Sequence, residues 1–212
     1  LVISAAYQAG TGMMQFGSGT SPYWKVYLNT GTGFSTTSLN WVTPIGGYYS
    51  NTGVNYGYYN IGGGNASAVN SQNWSISDMN GDGKPDLVVT AVFQTSVNWA
   101  MQFGAGTSPY WKVYLNNGSG FSTSATTWAT PVGGFYNSSG VSYGYMDMFG
   151  SAPSSNNSQT WGIMDMDGDS KPELVIPSDY QSANGGEKQF GVGGNPYWKV
   201  YLNSGITGVN DV

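Results

Sequence analysis

The sequence predicts an all-β chain built from tandem repeats, and three observations carry that prediction. One pattern returns every 87 residues, so that Trp74, Asp78 and Leu87 come back as Trp161, Asp165 and Leu174. Inside each copy, apolar residues either alternate with polar ones or run unbroken over a few positions, as in half-buried and fully buried strands. No segment of helix length carries an apolar period of 3.6.

The repeat can be followed through the chain. Pro22 to Asn29 returns as Pro109 to Asn116 and again as Pro196 to Asn203, and Trp41 and Pro44 return as Trp128 and Pro131. The register holds without a gap from Met14 onward and slips by one residue between Leu1 and Met13. Three units follow. Residues 1–73 are an incomplete first repeat lacking its first strand and the acidic loop, 74–160 are a complete repeat, and 161–212 are an incomplete third. The chain thus samples the pattern about two and a half times.

Each element of the complete repeat has a local reason. Trp74, Ile76 and Asp78 alternate with Ser75 and Ser77, a short strand ending at the acidic loop. Leu87 to Phe93 is apolar on both faces, as for a strand covered on both sides. From Tyr110 to Asn116, Trp111, Val113 and Leu115 share one face while Tyr110, Lys112 and Tyr114 share the other. Asn116-Asn117-Gly118-Ser119-Gly120 reads as a turn, and Phe121-Ser122-Thr123 as the start of a return strand. The Tyr-, Asn- and Gly-rich stretches 49–73 and 136–160 read as long ordered loops or short strands.

Composition removes whole classes of chemistry. With no cysteine or histidine, and with all six basic residues lysine, disulfides, Ser-His-Asp triads and thiolate or imidazole metal sites are excluded. Only 8% of residues are charged, so the polar surface consists mainly of Ser, Thr, Asn, Gln and Tyr. A formal charge of −5 argues against a nucleic-acid partner. No apolar run approaches the roughly 20 residues needed to span a bilayer, so membrane insertion is not expected. Outside the acidic loops only Asp147, Asp179, Glu187 and Asp211 remain, and none recurs in the repeat, so no enzyme activity is expected.

The acidic residues concentrate in Asp78-Met79-Asn80-Gly81-Asp82-Gly83-Lys84-Pro85-Asp86 and its return, Asp165-Met166-Asp167-Gly168-Asp169-Ser170-Lys171-Pro172-Glu173. Oxygen-bearing side chains stand at positions 1, 3, 5 and 9, with glycines to fold the loop between them. That spacing can wrap carboxylates and a backbone carbonyl around one hard cation, and two Ca²⁺ sites are expected. Two divalent ions would bring −5 to about −1, so the acidity of the chain is mainly its metal loops. An EF-hand is excluded, because its twelfth position needs a glutamate and holds Val89 or Ile176 here. Ser170 stands where the first loop has Gly83. If that position needs a positive φ, the second site is the weaker.

The Trp-x-Ile-x-Asp strand, the DMNGDGKPDLVV loop and strand, and the later KVYLNNGSGF together resemble the FG-GAP/VCBS family of propeller repeats, which includes the integrin-type blades. The resemblance covers about half of each repeat. It implies tandem four-stranded antiparallel propeller-like blades, in a closed propeller or an open repeat array. It also implies calcium in the hairpin loop between the first two strands. The implied ligands are Asp78, Asn80, Asp82, the Lys84 carbonyl and Asp86 in one loop. In the other they are Asp165, Asp167, Asp169, the Lys171 carbonyl and Glu173.

The expected role is that of an extracellular, secreted or surface-displayed protein, stabilised by calcium and acting in structure, self-assembly or adhesion. A closed propeller needs about four to eight blades. Copies of the chain are therefore the expected partners, joined through the incomplete end repeats into a ring or a filament. The alternative is a propeller-type lectin that binds glycans through Tyr23, Tyr110 and Tyr197, or through Tyr48-Tyr49 and Phe135-Tyr136. Lys25, Lys112 and Lys199 are expected to be solvated or stacked on a tyrosine.

Overall fold

A computed structural model describes residues 1–4, 6–9, 13–18, 21–44, 72–94, 100–101, 103–104, 109–131, 159–181, 185–191 and 193–204. The stretches 49–71 and 136–158, with Tyr48-Tyr49 and Phe135-Tyr136, lie outside the described residues. What is described is all-β, with no helix among these residues and none long and apolar enough to cross a membrane.

Every repeat forms its own antiparallel sheet. The first holds β1 (Val2–Ile3), β4 (Phe16–Ser18), β5 (Ser21–Val26) and β6 (Leu39–Val42), beside a small ribbon of β2 (Tyr7–Gln8) and β3 (Met13–Met14). The second holds β7 (Gln72–Ser77), β8 (Asp86–Gln94), β9 (Ala100–Met101), β10 (Tyr110–Tyr114) and β11 (Thr126–Ala129). Its order β11-β10-β8-β7 is a four-stranded antiparallel meander, with β9 paired to the far end of β8. The third holds β12 (Gln159–Met164), β13 (Glu173–Gln181), β14 (Glu187–Lys188) and β15 (Lys199–Tyr201). Register ties the sheets together: Val113 faces Val88 across β10 and β8, as Val26 faces Val2 and Val200 faces Val175.

Because side chains alternate along a strand, each sheet has two faces, and both are used. On β8, Leu87 and Val89 point to one side and Val88 to the other, and all three are fully buried. Leu87 and Val89 pack with Trp24 of the first repeat, along with Trp74, Phe103, Tyr114 and Phe121. Val88 joins Trp111, Val113 and Met79 against Trp161, Ile176 and Phe190 of the third. The two joints are copies of one another. Trp24 meets Trp74 at 6.2 Å and 44°, and Trp111 meets Trp161 at 6.2 Å and 47°. Each fully buried Leu, Val or Ile contributes about 1.5–3 kcal/mol, so these joints dominate the stability of the described core.

Two local expectations need correction. The return strand begins at Thr126, not Phe121. Phe121 closes the turn opposite Asn116 and turns into the first joint, edge-on to Trp24 at 5.5 Å and Trp41 at 6.4 Å. Burying that ring between two tryptophans outweighs a few more ladder hydrogen bonds. The lysines, in turn, stack on phenylalanine. Lys25, Lys112 and Lys199 lie 4.6, 4.6 and 4.3 Å over Phe16, Phe103 and Phe190, whose rings also stack on Tyr23, Tyr110 and Tyr197.

The joints differ in one filling. Trp111, Trp128, Ile163 and Met79 line a cavity of about 90 Å³ in the second. In the first, the equivalent Trp24, Trp41 and Ile76 line one of about 310 Å³, with no methionine in its wall.

Candidate metal centre

Each acidic loop joins the first two strands of its sheet, β7 to β8 and β12 to β13. Its first aspartate organises it. Gly81 and Asp82 donate their amides to Asp78 Oδ1 at 2.8 and 3.1 Å, and Gly83 donates to Oδ2 at 2.7 Å. In the second loop Gly168 and Ser170 donate to the two oxygens of Asp165 at 2.6 and 3.0 Å. Converging so many amides on one carboxylate requires left-handed turns. Gly83 sits at φ 79° and Ser170 at φ 70°, so the fourth-from-last position does demand a positive φ and serine adopts it under strain.

The ninth residue closes the loop from below. Asp86 is fully buried and accepts from Met79 N at 3.0 Å and Asn116 N at 2.8 Å, one amide on each oxygen. Burial pushes its carboxyl pKa up, against the pull of those two amides. Glu173 is also fully buried, and its Oε2 accepts from Met166 N at 2.6 Å. Its other oxygen, Oε1, is buried without a hydrogen-bond partner. Asp165, Asp167 and Glu173 bring carboxylate oxygens within 4.8 Å of one another, close enough to hold one metal ion, with the two aspartates exposed and the glutamate buried. Asn80 occupies the place of Asp167 in the first loop, where its Oδ1 accepts from Asp82 N at 3.1 Å.

The fifth residues face the rim instead. Asp82 Oδ2 pairs with Lys84 Nζ at 2.9 Å, and Asp169 Oδ2 with Lys171 Nζ at 3.5 Å. The Lys84 ammonium holds the Asp82 carboxyl below its ordinary pKa. Lys84 and Lys171, expected to offer backbone carbonyls, therefore also supply the cations that neutralise the rim.

Three residues were not singled out from the sequence. Asn116 donates its side-chain amide to Pro85 O at 2.9 Å, clamping the first loop against the end of β10. Asn203 reaches Pro172 O at 3.3 Å and Met79 O at 3.0 Å, linking the second loop to the first. Met79 is buried in the second joint. The loops also touch directly: a Cβ on Gly81 would lie 3.1 Å from Lys171 Cγ and 3.2 Å from the Ser170 carbonyl oxygen. Both asparagines end the recurring KVYLN motif, a signal that was present in the repeat.

No family model, curated protein or solved structure matches this chain.

Proposed function

We propose that the chain is a calcium-braced β-repeat protein with a structural role, made of propeller-like blades of the FG-GAP/VCBS kind. One observation supports it above the rest: a wholly buried glutamate, Glu173, keeps one oxygen without a donor beside Asp165 and Asp167. A buried carboxylate without compensation costs several kcal/mol, and a cation between the three carboxylates would offset that cost. The donors are all oxygens, in a sequence without histidine or cysteine, so the ion is hard. Calcium suits them better than magnesium. One short loop offers many oxygens in irregular array, which calcium tolerates, whereas magnesium demands an octahedron at about 2.0–2.1 Å.

In this reading Asp78, Asn80, Asp82, the Lys84 carbonyl and Asp86 hold one ion. Asp165, Asp167, Asp169, the Lys171 carbonyl and Glu173 hold the other. Each ion ties the first hairpin of a blade, and the loop contacts through Asn203 pass that rigidity from one repeat to the next. Such sites suit a secreted or surface-displayed protein, because extracellular modules bind calcium with Kd of about 10⁻⁴–10⁻³ M in calcium-rich surroundings. Glycan binding is the weaker alternative. Tyr23, Tyr110 and Tyr197 repeat in register and Tyr197 is exposed, but each ring already spends one face on a phenylalanine.

Calorimetric titration should count two calcium ions per chain, and chelation should lower the melting temperature. Occupancy at about one hundred times Kd is worth about 2.7 kcal/mol per site, or roughly 5–10 °C for a chain of this size. Glu173→Gln should abolish the second increment while leaving the chelated protein at least as stable as the parent, since the bare buried charge is gone. Identical melting curves with calcium and with chelator would sink the reading.

A further inference from the structure

The two internal joints show what covers each face of a repeat, and the same two faces recur uncovered at opposite ends of the molecule. On the side of a repeat turned toward its successor, Met79, Trp111 and Val113 are 3%, 4% and 0% exposed. Their counterparts 87 residues later, Met166, Trp198 and Val200, are 43%, 57% and 39% exposed, and Leu202 beside them is 70% exposed. On the side turned toward the predecessor, Leu87, Val89 and Phe121 are buried. By the shared pairing of Val2 with Val26 and Val88 with Val113, their counterparts are Leu1, Ile3 and Phe34. All three are exposed.

We infer that these outer faces are a matched pair, and that a second copy of this chain docks its Leu1–Ile3–Phe34 face onto the Met166–Trp198–Val200–Leu202 face of the first, head to tail. The argument is continuity with the joints already present. In the second, Trp111 and Val113 of one repeat pack against Trp161, Ile176 and Phe190 of the next; in the first, Trp24 packs against Trp74, Leu87, Val89 and Phe121; and the chain carries one open example of each kind of face. The residues named on both patches are apolar, a kind of surface that folded proteins cover. The charges beside them are Lys25, opposite Ile3 on β5, the Leu1 ammonium, and the acidic loop that carries Met166. Two different faces meeting make a heterologous contact, so association propagates rather than stopping at a symmetric dimer. The joint between copies has no counterpart of Trp74 or Trp161, so it is weaker than the internal ones. The inference rests on the repeat packing, and it stands whatever ion fills the loops.

Sedimentation equilibrium in saturating calcium tests it, over protein concentrations from about 1 μM to about 1 mM, the range of weak association. The parent mass should climb above the 22.5 kDa of one chain as concentration rises. Trp198→Glu and Phe34→Glu, both at exposed positions that leave the folded core intact, should each stay monomeric. An equimolar mixture of the two should recover one joint, between the intact face of each, and stop at twice the monomer mass. A parent that remains monomeric throughout, a single variant that still associates, or a mixture that does not would each overturn the inference.

Discussion

The loops 78–86 and 165–173 share a motif and a backbone course, yet they differ in what lies above them. The first is built into a joint: its Met79 is buried against the third repeat, its Met79 carbonyl accepts from Asn203, and Gly81 lies against Ser170. The second has no repeat over it in this chain, and Met166 stands exposed. Their chemistry also diverges at the ninth position. Asp86 spends both oxygens on backbone amides, whereas the longer Glu173 spends one, keeps the other unpaired, and brings its carboxylate within 4.8 Å of those of Asp165 and Asp167. The lesson is that one motif serves two ends. The first loop is held chiefly by packing and hydrogen bonds, while the second leaves more for an ion to do.

The largest effect should separate the two methionines. Met79→Ala removes a buried side chain from the second joint and should cost roughly 2–5 kcal/mol, the usual range for emptying a core position. It should also enlarge the cavity there toward that of the first joint. Met166→Ala, at an exposed position, should stay within about 0.5 kcal/mol. Urea unfolding of both variants in saturating calcium gives the comparison directly. Equal midpoints would mean that the covering repeat does not distinguish the loops.

Next in size is the backbone. Ser170→Gly should stabilise the second loop by about 1 kcal/mol, because glycine accepts φ 70° without a Cβ penalty. It should tighten calcium at that site by about fivefold if the loop takes up the strained φ only on binding the ion. Gly83→Ser should do the reverse in the first loop by a similar amount. A Cβ on Gly83 meets nothing within 4 Å, so strain rather than collision is what the exchange would measure.

Much of this was legible in the sequence, for a physical reason. Alternation along Tyr110 to Leu115 states which side chains share a face, and the structure places Trp111, Val113 and Leu115 in one joint and Tyr110 and Tyr114 in the other. A glycine at position 83 aligned with serine at 170 announced a strained backbone. Contacts between repeats were harder to read. Whether Phe121 continues a ladder or plugs a joint depends on Trp24 and Trp41, which local pattern does not bring near. Met79 looks like any spacer in DMNGD until a third repeat is laid over it. The asparagines of KVYLN recur plainly, but their targets, the Pro85 and Pro172 carbonyls, appear only once strand and loop are folded together.

The smallest effect concerns the lysines at the rim, and it sharpens the same comparison. Lys84 holds Asp82 at 2.9 Å and Lys171 holds Asp169 at 3.5 Å, both pairs largely open to solvent. Exposed pairs contribute little to folding, so Lys84→Ala and Lys171→Ala should leave the chelated midpoint within the error of the measurement. Calcium affinity should respond differently. Each ammonium ties up a carboxylate oxygen that the ion would otherwise share, so removing it should tighten binding by a few-fold at most. The gain should be larger in the first loop, where the competing contact is shorter. Isothermal titration of the two variants against the parent measures both gains. Weaker binding in either variant would mean that the lysine positions its aspartate for the ion instead of competing with it.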